Sequence, residues 1–440
     1  MRAIRIIRPG EPDVLEVAEV DDPVPGPGEV RVDVYGTALN RADLLQRRGA
    51  YPAPPGAPPD VPGLEFAGVV EEVGEGVDES AVGSWVMGLV GGGSYAERLV
   101  TDAAHMVPMP QGLQFVESAA VPEAFCTAYD ALVLQGELRE GHTVLIHAAG
   151  SGVGTAAIQI ARQFGASRVF GTASTGKLEA LEERGLGLDV PIDYRRKSFR
   201  DVVRRETEGR GVDLILDLVG ATYWTDNIAS LKNRGRIVLV GLVGGTMAQL
   251  NLGVLLRRRL RVIGTVMRSR DAAERADLAS RVKKDLVPRF ESGQLFPVVD
   301  RVFDLHEAAE AHSYMEENRN AGKIVLRVRD SEGELLYEGR FEGHLVDLPA
   351  RGDLVFRLEG RRPENAFVWG EGRGRLTPGG EVEVEVTSWK EPRYAPVTFA
   401  GTLVLPPGWS VEDEAVVIHQ DEESWIRTGH VLDPESLAWT

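Results

Sequence analysis

The middle of the chain alternates short apolar runs with longer segments of helical character. Apolar runs of strand length lie at 143–149, 167–173, 190–194, 212–220, 236–241 and 259–265. Segments with helical patterning separate most of them, at 152–165, 177–185, 198–207 and 222–233. Strands that alternate with helices of this length indicate right-handed βαβ units around a buried parallel sheet. The pattern therefore predicts an α/β domain of the doubly wound kind.

The segments on either side are richer in strands and turns. Val30, Val32 and Val34 alternate with polar or amphipathic residues, which is the period of a half-buried strand. A short helix is expected at 41–48, and the prolines of 51–63 exclude regular structure there. After the doubly wound region we expect one long helix at 271–293 and strands at 298–304 and 323–328.

The last quarter of the chain has a different composition. From residue 331 onward there are 21 acidic and 10 basic side chains, so 11 of the 18 net negative charges lie there, with five of the seven tryptophans. Strict alternation, as in EVEVEVTSW, and turn sequences such as TPGG predict an all-β domain over 331–440, a small sandwich or barrel. Two roles stay open for it: binding a partner or ligand, or covering the dimer contact or the active site.

Charge and cysteine content narrow the function class. A net charge of −18 argues against nucleic-acid binding, which needs a basic surface. There is no uncharged apolar run of about 18 residues and no signal-peptide pattern, so we expect no membrane association. Cys126 is the only cysteine, which excludes an internal disulfide and a four-thiolate zinc site. We therefore expect a cytoplasmic protein in which Cys126 is a small buried apolar residue.

A glycine-rich turn follows the first strand of the α/β region. The run Gly150, Ser151, Gly152, Val153, Gly154 leads from that strand into a helix. Glycines let the backbone approach a pyrophosphate, and the helix N-terminus offers free N–H groups and a positive dipole end. In this strand–turn–helix context the run predicts dinucleotide binding.

The end of the second strand bears on which dinucleotide binds. NAD-selective sites place Asp or Glu there to accept hydrogen bonds from the ribose 2′-OH. Here the strand is followed by Ser174 and Lys177, which suit a 2′-phosphate, and the first carboxylate is Glu179. We expect NADPH. The alternative is that Ser174 only caps a helix and Lys177 is a solvated surface charge.

Four motifs carry a family resemblance. They are Asn40–Asp43 (NRAD), Pro62–Gly68 (PGLEFAG), Ala128–Leu132 (AYDAL) and His147–Gly154 (HAAGSGVG). Residues 1 to about 328 resemble the quinone oxidoreductase branch, which includes zeta-crystallin, of the medium-chain dehydrogenase/reductase superfamily. The resemblance implies a GroES-like β-barrel catalytic domain split over 1–123 and 267–328 and a Rossmann domain over 124–266, with the active-site cleft between them. We also expect a homodimer.

The same resemblance predicts that no metal is bound. Zinc alcohol dehydrogenases of this superfamily carry a cysteine ligand where this chain has Asn40, and a histidine where it has Leu64. Neither replacement offers the thiolate or imidazole that Zn²⁺ requires. Without a Lewis acid, alcohol oxidation loses its main electrostatic aid. Hydride transfer to a small-molecule quinone or α,β-unsaturated carbonyl needs no metal, because it produces a delocalised oxyanion.

Candidate site residues fall into two groups, each with a structural alternative. For the substrate and nicotinamide we select Asn40, Tyr51, Thr127 and Tyr129, whose alternatives are loop bonding for Asn40, packing on prolines for Tyr51 and helix packing for Tyr129. For the cofactor we add the glycine turn with Ser174 and Lys177, and further residues near strand ends. These are Tyr194 near the adenosine phosphate, Leu218, Gly241 and Leu242 at the carboxyl edge of the sheet, Arg268 and Arg270 toward the pyrophosphate, and Lys323 toward the nicotinamide ribose. His147 is expected to be structural.

The leading hypothesis is an NADPH-dependent reductase of quinones or enones. It follows from the glycine turn, the missing acidic residue after the second strand and the missing zinc ligands. Binding, orientation and hydride transfer would then do most of the work, with a proton from solvent. The alternative is a non-catalytic NADPH-binding protein with a structural or sensor role, in which the β-domain binds a partner.

Overall fold

A computed structural model of the chain describes residues 1–328 throughout. Beyond them it describes the backbone of seven strands, at 340–347, 353–362, 365–376, 381–388, 399–404, 416–421 and 424–431. The chain divides into two compact units, Met1–Arg329 and Asp330–Thr440. No helix within these described ranges is long and apolar enough to cross a membrane.

The regular elements of the first unit are numbered in chain order. The strands are β1 (Arg2–Ile6), β2 (Leu15–Glu19), β3 (Glu29–Ala38), β4 (Glu65–Val73), β5 (Trp85–Leu89), β6 (Arg98–Asp102), β7 (Met106–Pro108), β8 (Thr143–Ile146), β9 (Arg168–Ala173), β10 (Val190–Asp193), β11 (Val212–Asp217), β12 (Leu231–Leu239), β13 (Arg261–Gly264), β14 (Val299–Asp304) and β15 (Lys323–Arg327). The helices are α1 (Arg41–Arg47), α2 (Phe115–Ala119), α3 (Pro122–Tyr129), α4 (Gly152–Gln163), α5 (Thr175–Glu183), α6 (Phe199–Glu206), α7 (Trp224–Ser230), α8 (Leu252–Arg258), α9 (Ala272–Asp285), α10 (Val287–Glu291) and α11 (Ala308–Glu316).

The predicted doubly wound sheet is present. Six parallel strands lie in the order β10-β9-β8-β11-β12-β13, which is the Rossmann order. Strands are added on one side of β8 up to β10 and then on its other side from β11 onward. Strands β8 and β11 are almost wholly buried, because helices cover both faces of such a sheet. The carboxyl ends of β8 and β11 therefore meet at the edge where ligands bind in open α/β sheets.

The GroES-like part is a mixed sheet built from both ends of the first unit. Its strand order is β14-β15-β3-β4-β5-β7, with β6 also paired to β3. Val30, Val32 and Val34 are fully buried, as the alternation in β3 predicts, while Arg31 is partly exposed. Strand β15 pairs antiparallel with β3 although almost 300 residues separate them. The Rossmann and GroES-like folds are thus both confirmed.

Some predicted elements have different limits. The single helix expected at 271–293 is two helices, α9 and α10, which meet at Leu286. Pro288 lies in the first turn of α10, and proline there removes an N–H and crowds the preceding turn, which ends α9. The helix expected at 222–233 stops at Ser230, where β12 begins, and α8 was not expected.

In the second unit, the described backbone is extended. Strands β16 (Arg340–Asp347), β17 (Asp353–Arg362), β18 (Asn365–Leu376), β19 (Glu381–Ser388) and β20 (Phe399–Val404) form an antiparallel sheet, and β21 (Val416–Asp421) pairs with β22 (Ser424–Val431). The remaining residues of 331–440, and all side chains there, lie outside the described residues. The all-β domain therefore stays a prediction, as does its role.

Candidate active site

The glycine turn between β8 and α4 is packed so closely that larger residues would not fit. A Cβ on Gly154 would lie 2.3 Å from the carbonyl oxygen of Ala148, and one on Gly152 would lie 2.4 Å from Cδ of Lys323. The Ser151 hydroxyl caps α4 by accepting from the Gly154 N–H at 3.0 Å. The remaining N–H groups of the first helical turn, at Gly152 and Val153, have no earlier helical carbonyl to bind. The turn therefore fits the pyrophosphate of a dinucleotide.

The backbone before this turn is strained. Ala148 has φ of 50°, in the left-handed region that glycine adopts more readily. Non-glycine residues in such regions cost of order 1–3 kcal/mol and cluster at ligand-binding sites. The neighbouring Ala149 N–H donates to the Thr172 carbonyl of β9 at 2.9 Å, which holds the turn against the sheet.

Positive side chains gather after β9, where the adenosine ribose is expected. Ser174 occupies the N-cap position of α5, but its hydroxyl makes no capping bond. The Lys177 stem packs on Gly150, where a Cβ would lie 2.9 Å away, and its ammonium donates to Asn318 Oδ1 at 3.0 Å. Burial, and then repulsion from Arg41, lower the pKa of Lys177 to about 8.

One carboxylate of the Rossmann sheet approaches this region, and Asp300 of β14 attracts Lys177 without forming an ion pair. Asp193 at the end of β10 is in register with Ala173 at the end of β9. Its oxygens accept from the Thr175 hydroxyl at 2.5 Å and from the Arg195 N–H at 2.9 Å, and its side chain also pairs with Arg196. Asp193 is thus committed to holding the β10 turn.

A buried polar cluster lies beside the glycine turn, and we call it the cleft floor after the cleft that the family resemblance predicts. The Lys323 ammonium donates to Glu65 Oε1 at 2.7 Å, to Asn40 Oδ1 at 2.8 Å and to the Leu39 carbonyl at 2.8 Å. Asn40 Nδ2 donates to the same Glu65 oxygen at 2.8 Å, and the Glu123 N–H donates to Glu65 Oε2 at 2.7 Å. All three ammonium protons and both carboxylate oxygens are therefore satisfied inside the protein.

Two acids beside this cluster have raised pKa values. Burial raises the pKa of Glu123 to about 8, with repulsion from Glu65 as the next cause. Burial also raises the pKa of Asp43 to about 6, although its carboxylate accepts the Asn40 N–H at 2.7 Å. At neutral pH Glu123 is therefore mostly a neutral acid, held by its backbone against the Glu65 carboxylate.

Arg268 secures the proline-rich loop. Its guanidinium donates to Gln46 Oε1 at 2.6 Å, to the Gly91 carbonyl at 2.9 Å and to the Tyr51 carbonyl at 3.1 Å, and it lies 5.0 Å from the centre of the Tyr51 ring. The Arg268 donors are therefore used in hydrogen bonds to the GroES-like part. Contact of Arg268 with the pyrophosphate remains a prediction, and Tyr51 is partly exposed.

Thr127 and Tyr129 on α3, and Arg270 after β13, differ in their surroundings. Thr127 is buried, and its hydroxyl has no hydrogen-bond partner among the described residues. Such an orphaned polar atom is uncommon in proteins, and it leaves this hydroxyl free to bind a ligand. Tyr129 instead donates to Asp285 of α9 at 2.5 Å, and Arg270 pairs with buried Asp130 at 2.7 Å. Their contacts are those of helix packing, and their predicted roles stay untested.

A buried histidine links the strand ends of the Rossmann sheet. His147 Nδ1 lies 2.9 Å from the Thr172 hydroxyl, and Nε2 lies 2.6 Å from Asn227 Oδ1. Asn227 in turn donates to Asp217 at 3.0 Å, and Asp217 accepts the N–H groups that open the loop after β11. Burial lowers the pKa of His147 to about 4, so the ring is neutral. This agrees with a structural rather than catalytic role.

The predicted residues at the sheet's carboxyl edge line adjacent loops. A Cβ on Gly241 would lie 2.9 Å from the Leu218 carbonyl, so the loops after β11 and β12 pack directly. Leu242 and Tyr194 are exposed, and the Arg195 guanidinium lies 5.8 Å from the Tyr194 ring. Cys126 is buried, and burial raises the pKa of its thiol well above the usual range, which disfavours a reactive thiolate.

Comparison with known proteins decides the family. Residues 26–111 match the alcohol dehydrogenase GroES-like domain, and residues 186–326 match the zinc-binding dehydrogenase family. The synaptic vesicle membrane protein VAT-1 homolog of Rattus norvegicus is 35% identical over 318 residues, which are 69% of this chain and 78% of that protein. The chain belongs to the medium-chain dehydrogenase/reductase superfamily.

Solved structures of this superfamily agree with that assignment. A quinone oxidoreductase from Pseudomonas syringae pv. Tomato is 30% identical, with a TM-score of 0.67 over 74% of this chain and 99% of that one. A protein described as an NAD-dependent alcohol dehydrogenase is 37% identical, with a TM-score of 0.67 over 75% of this chain and 100% of that one. Superfamily members are oxidoreductases that bind nicotinamide cofactors.

The sequence did not single out several residues of the candidate site. Glu65 lies inside the PGLEFAG motif that carried the resemblance, and Glu123 opens α3 just before Thr127. Both acids precede or follow apolar residues, which was the available signal for a buried carboxylate. The partners Arg41 and Asn318 had no local signal, because 277 positions separate them.

Proposed function

We propose that this chain is an NADPH-dependent, zinc-independent reductase that transfers hydride to a quinone or an α,β-unsaturated carbonyl. The observation that carries the proposal is the cluster of Lys323, Glu65 and Asn40 on the cleft floor, next to a glycine turn suited to a dinucleotide. The P. syringae relative, described as a quinone oxidoreductase, supports the quinone half. The enone half rests on the same chemistry, a delocalised oxyanion that hydrogen bonds stabilise.

The residues at this position do not fit a zinc ion. Asn40 and Leu64 supply no thiolate or imidazole, and the oxygens of Glu65 are already bound to Lys323, Asn40 and the Glu123 N–H. The Lys323 ammonium adds a positive charge that would repel a cation at the same point. We infer that the cleft works without a Lewis acid.

NADPH preference is inferred from the surroundings of Ser174. The Ser174 hydroxyl does not cap α5, and Lys177 stands beside it, so both groups suit a phosphate. Asp193, the carboxylate in register with the end of β9, is engaged by its own turn. The relative described as NAD-dependent argues for the opposite preference, so direct binding measurements are needed.

The chain's own residues position the reactants. The bound cofactor supplies the hydride. The first turn of α4 would hold its pyrophosphate, and Thr127 would offer it a buried hydroxyl that no other described residue binds. Asn40 and Tyr51 would contact the substrate carbonyl, and Glu123, whose pKa of about 8 keeps it protonated at neutral pH, would hold a proton near them. Orientation and exclusion of water contribute most of the acceleration, and solvent returns the final proton.

We further propose that the protein is a cytoplasmic homodimer. Strand β13 is the edge of the Rossmann sheet, and an unpaired edge invites another strand. Large apolar side chains are exposed around it: Val243, Met247, Leu252, Leu256, Val262 and Val266. A second copy of the chain that covers this surface would pair the edge strand and bury the exposed apolar side chains. The catalytic segments are taken as 1–123 and 267–328, with 124–266 as the cofactor domain.

The test is a paired binding and turnover assay on the full chain. We expect NADPH to bind at least tenfold more tightly than NADH, and NADPH oxidation to depend on an added quinone or enone. Metal chelation is expected to leave the rate unchanged. Tight NADPH binding with no turnover on either substrate class would instead support the non-catalytic alternative.

A further inference from the structure

Two cations from different domains share one neutral acceptor. Arg41, in the first turn of α1, donates from Nη2 to Asn318 Oδ1 at 3.1 Å, and Lys177 of α5 donates to the same oxygen at 3.0 Å. Asn318 follows α11 and has φ of 56°, so its side chain is held at a turn rather than within a helix. Like charges thus meet across the cleft around a single amide oxygen.

Neither cation forms an ion pair with a carboxylate among residues 1–328. The acids that attract them do so from a longer distance, Glu316 for Arg41 and Asp300 for Lys177. Arg48, at the other end of α1, shows the usual arrangement and pairs with Glu316 at 2.8 Å. Arg41 is exposed and Lys177 is half-buried, and an anion that contacts both of them would be stabilised by two positive charges.

We propose that Arg41 binds the 2′-phosphate of NADPH across the cleft, together with Ser174 and Lys177. The inference rests on the proposed NADPH function and adds a specificity residue from the GroES-like part. A phosphate offers several strong acceptor oxygens where Asn318 offers one, and a guanidinium fork matches that geometry. Repulsion between Arg41 and Lys177, which contributes to the lowered pKa of Lys177, is relieved when a dianion lies between them.

The position of Arg41 gives the contact a second consequence. Asn40, the next residue back, is the N-cap of α1 and bonds Lys323 and Glu65 on the cleft floor. A phosphate that holds Arg41 therefore also fixes the start of α1 beside the substrate. NADPH would organise this end of the cleft better than NADH does.

The test measures cofactor binding without substrate. Dissociation constants of NADPH, NADH and 2′-AMP are determined by calorimetry for wild type, Arg41→Gln, Arg41→Lys and the control Arg48→Gln. We expect Arg41→Gln to weaken NADPH and 2′-AMP about tenfold and NADH less than twofold, with Arg41→Lys intermediate. Arg48→Gln is expected to bind all three like wild type.

Other outcomes separate the two proposals. Equal weakening of NADPH and NADH by Arg41→Gln would overturn the 2′-phosphate assignment and indicate a pyrophosphate contact. If Lys177→Gln abolishes the NADPH preference and Arg41→Gln does not, the Arg41 inference alone fails. If wild type has no NADPH preference, the proposed cofactor fails first. Unchanged thermal unfolding of Arg41→Gln without ligand excludes a folding defect as the cause.

Discussion

Replacing Lys323 with methionine removes the central donor of the cleft floor while keeping most of the side-chain volume. The ammonium has three acceptors, and its carboxylate partner, Glu65, is 0% exposed. Methionine leaves that carboxylate with only the Asn40 amide and the Glu123 N–H as donors. Glu65 would then be a buried charge with no opposite charge in contact.

The expected cost follows from this burial. Removing one member of a buried ion pair typically destabilises a protein by about 3–5 kcal/mol, because the remaining charge stays desolvated. The second substitution Glu65→Gln removes that charge and keeps an oxygen that accepts hydrogen bonds. We therefore expect the double variant to recover roughly 2 kcal/mol of the loss, since much of the penalty belongs to the unpaired charge.

Urea unfolding followed by circular dichroism at 222 nm is the suitable assay. All the α-helices that the structure describes lie between residues 41 and 316, so the helical signal reports the first unit. Tryptophan fluorescence is less suitable, because five of the seven tryptophans lie beyond residue 331. The matched control is Lys283→Met on α9, where an exposed lysine is expected to contribute less than about 0.5 kcal/mol.

Two results would refute this reasoning. A loss below about 1 kcal/mol in Lys323→Met would mean that the pair contributes no more than a surface salt bridge. A double variant less stable than the single one would mean that the Glu65 charge is not what the substitution leaves uncompensated. Either result would also remove the argument that the cluster holds its geometry without a metal.

Three further predictions concern other parts of the first unit. As pH rises from roughly 4.5 to 8, wild type should lose about 1.4 kcal/mol of stability per pH unit relative to Glu123→Gln, because the folded pKa of Glu123, about 8, lies above the unfolded one. Urea midpoints of the two proteins that stay parallel from pH 5 to 9 would contradict this. Gly154→Ala should unfold at lower urea and bind NADPH poorly, since its Cβ meets backbone at 2.3 Å, whereas Gly176→Ala, with open space around its Cβ, should keep the wild-type urea midpoint. Leu256→Glu should yield monomers in sedimentation experiments, because Leu256 is 80% exposed beside the edge strand; an unchanged dimer would place the interface elsewhere.

Local features of the sequence predicted the elements well. The alternation at Val30, Val32 and Val34 specified a half-buried strand, because side chains on a strand have a period of two. The glycine run predicted a tightly packed turn, and the structure has one, because a side chain at Gly152 or Gly154 would collide with neighbouring atoms. The prediction failed for the helix at 271–293, where the periodicity continued but Pro288 broke it.

Contacts within the site between residues that are distant in the sequence had no such local signal. Lys323 and Glu65 are 258 positions apart, and nothing near either residue identifies its partner. Arg268 and Arg270 illustrate the same difficulty, because their place after the sixth strand identified none of their protein partners. The structure shows Arg268 bound to the Tyr51 loop and Arg270 bound to Asp130, through contacts set by tertiary packing.

The start of β15 is where the cofactor turn and the cleft floor come together. The Gly322 N–H donates to the Gly150 carbonyl at 2.9 Å, the Lys323 stem lies against Gly152, and the Lys323 ammonium reaches Asn40. Two consecutive residues thus touch both the phosphate-binding turn and the predicted substrate contact. Any movement of the turn on cofactor binding must shift Lys323 or strain its three hydrogen bonds. The same contacts that stabilise the fold therefore couple dinucleotide binding to the geometry around Asn40.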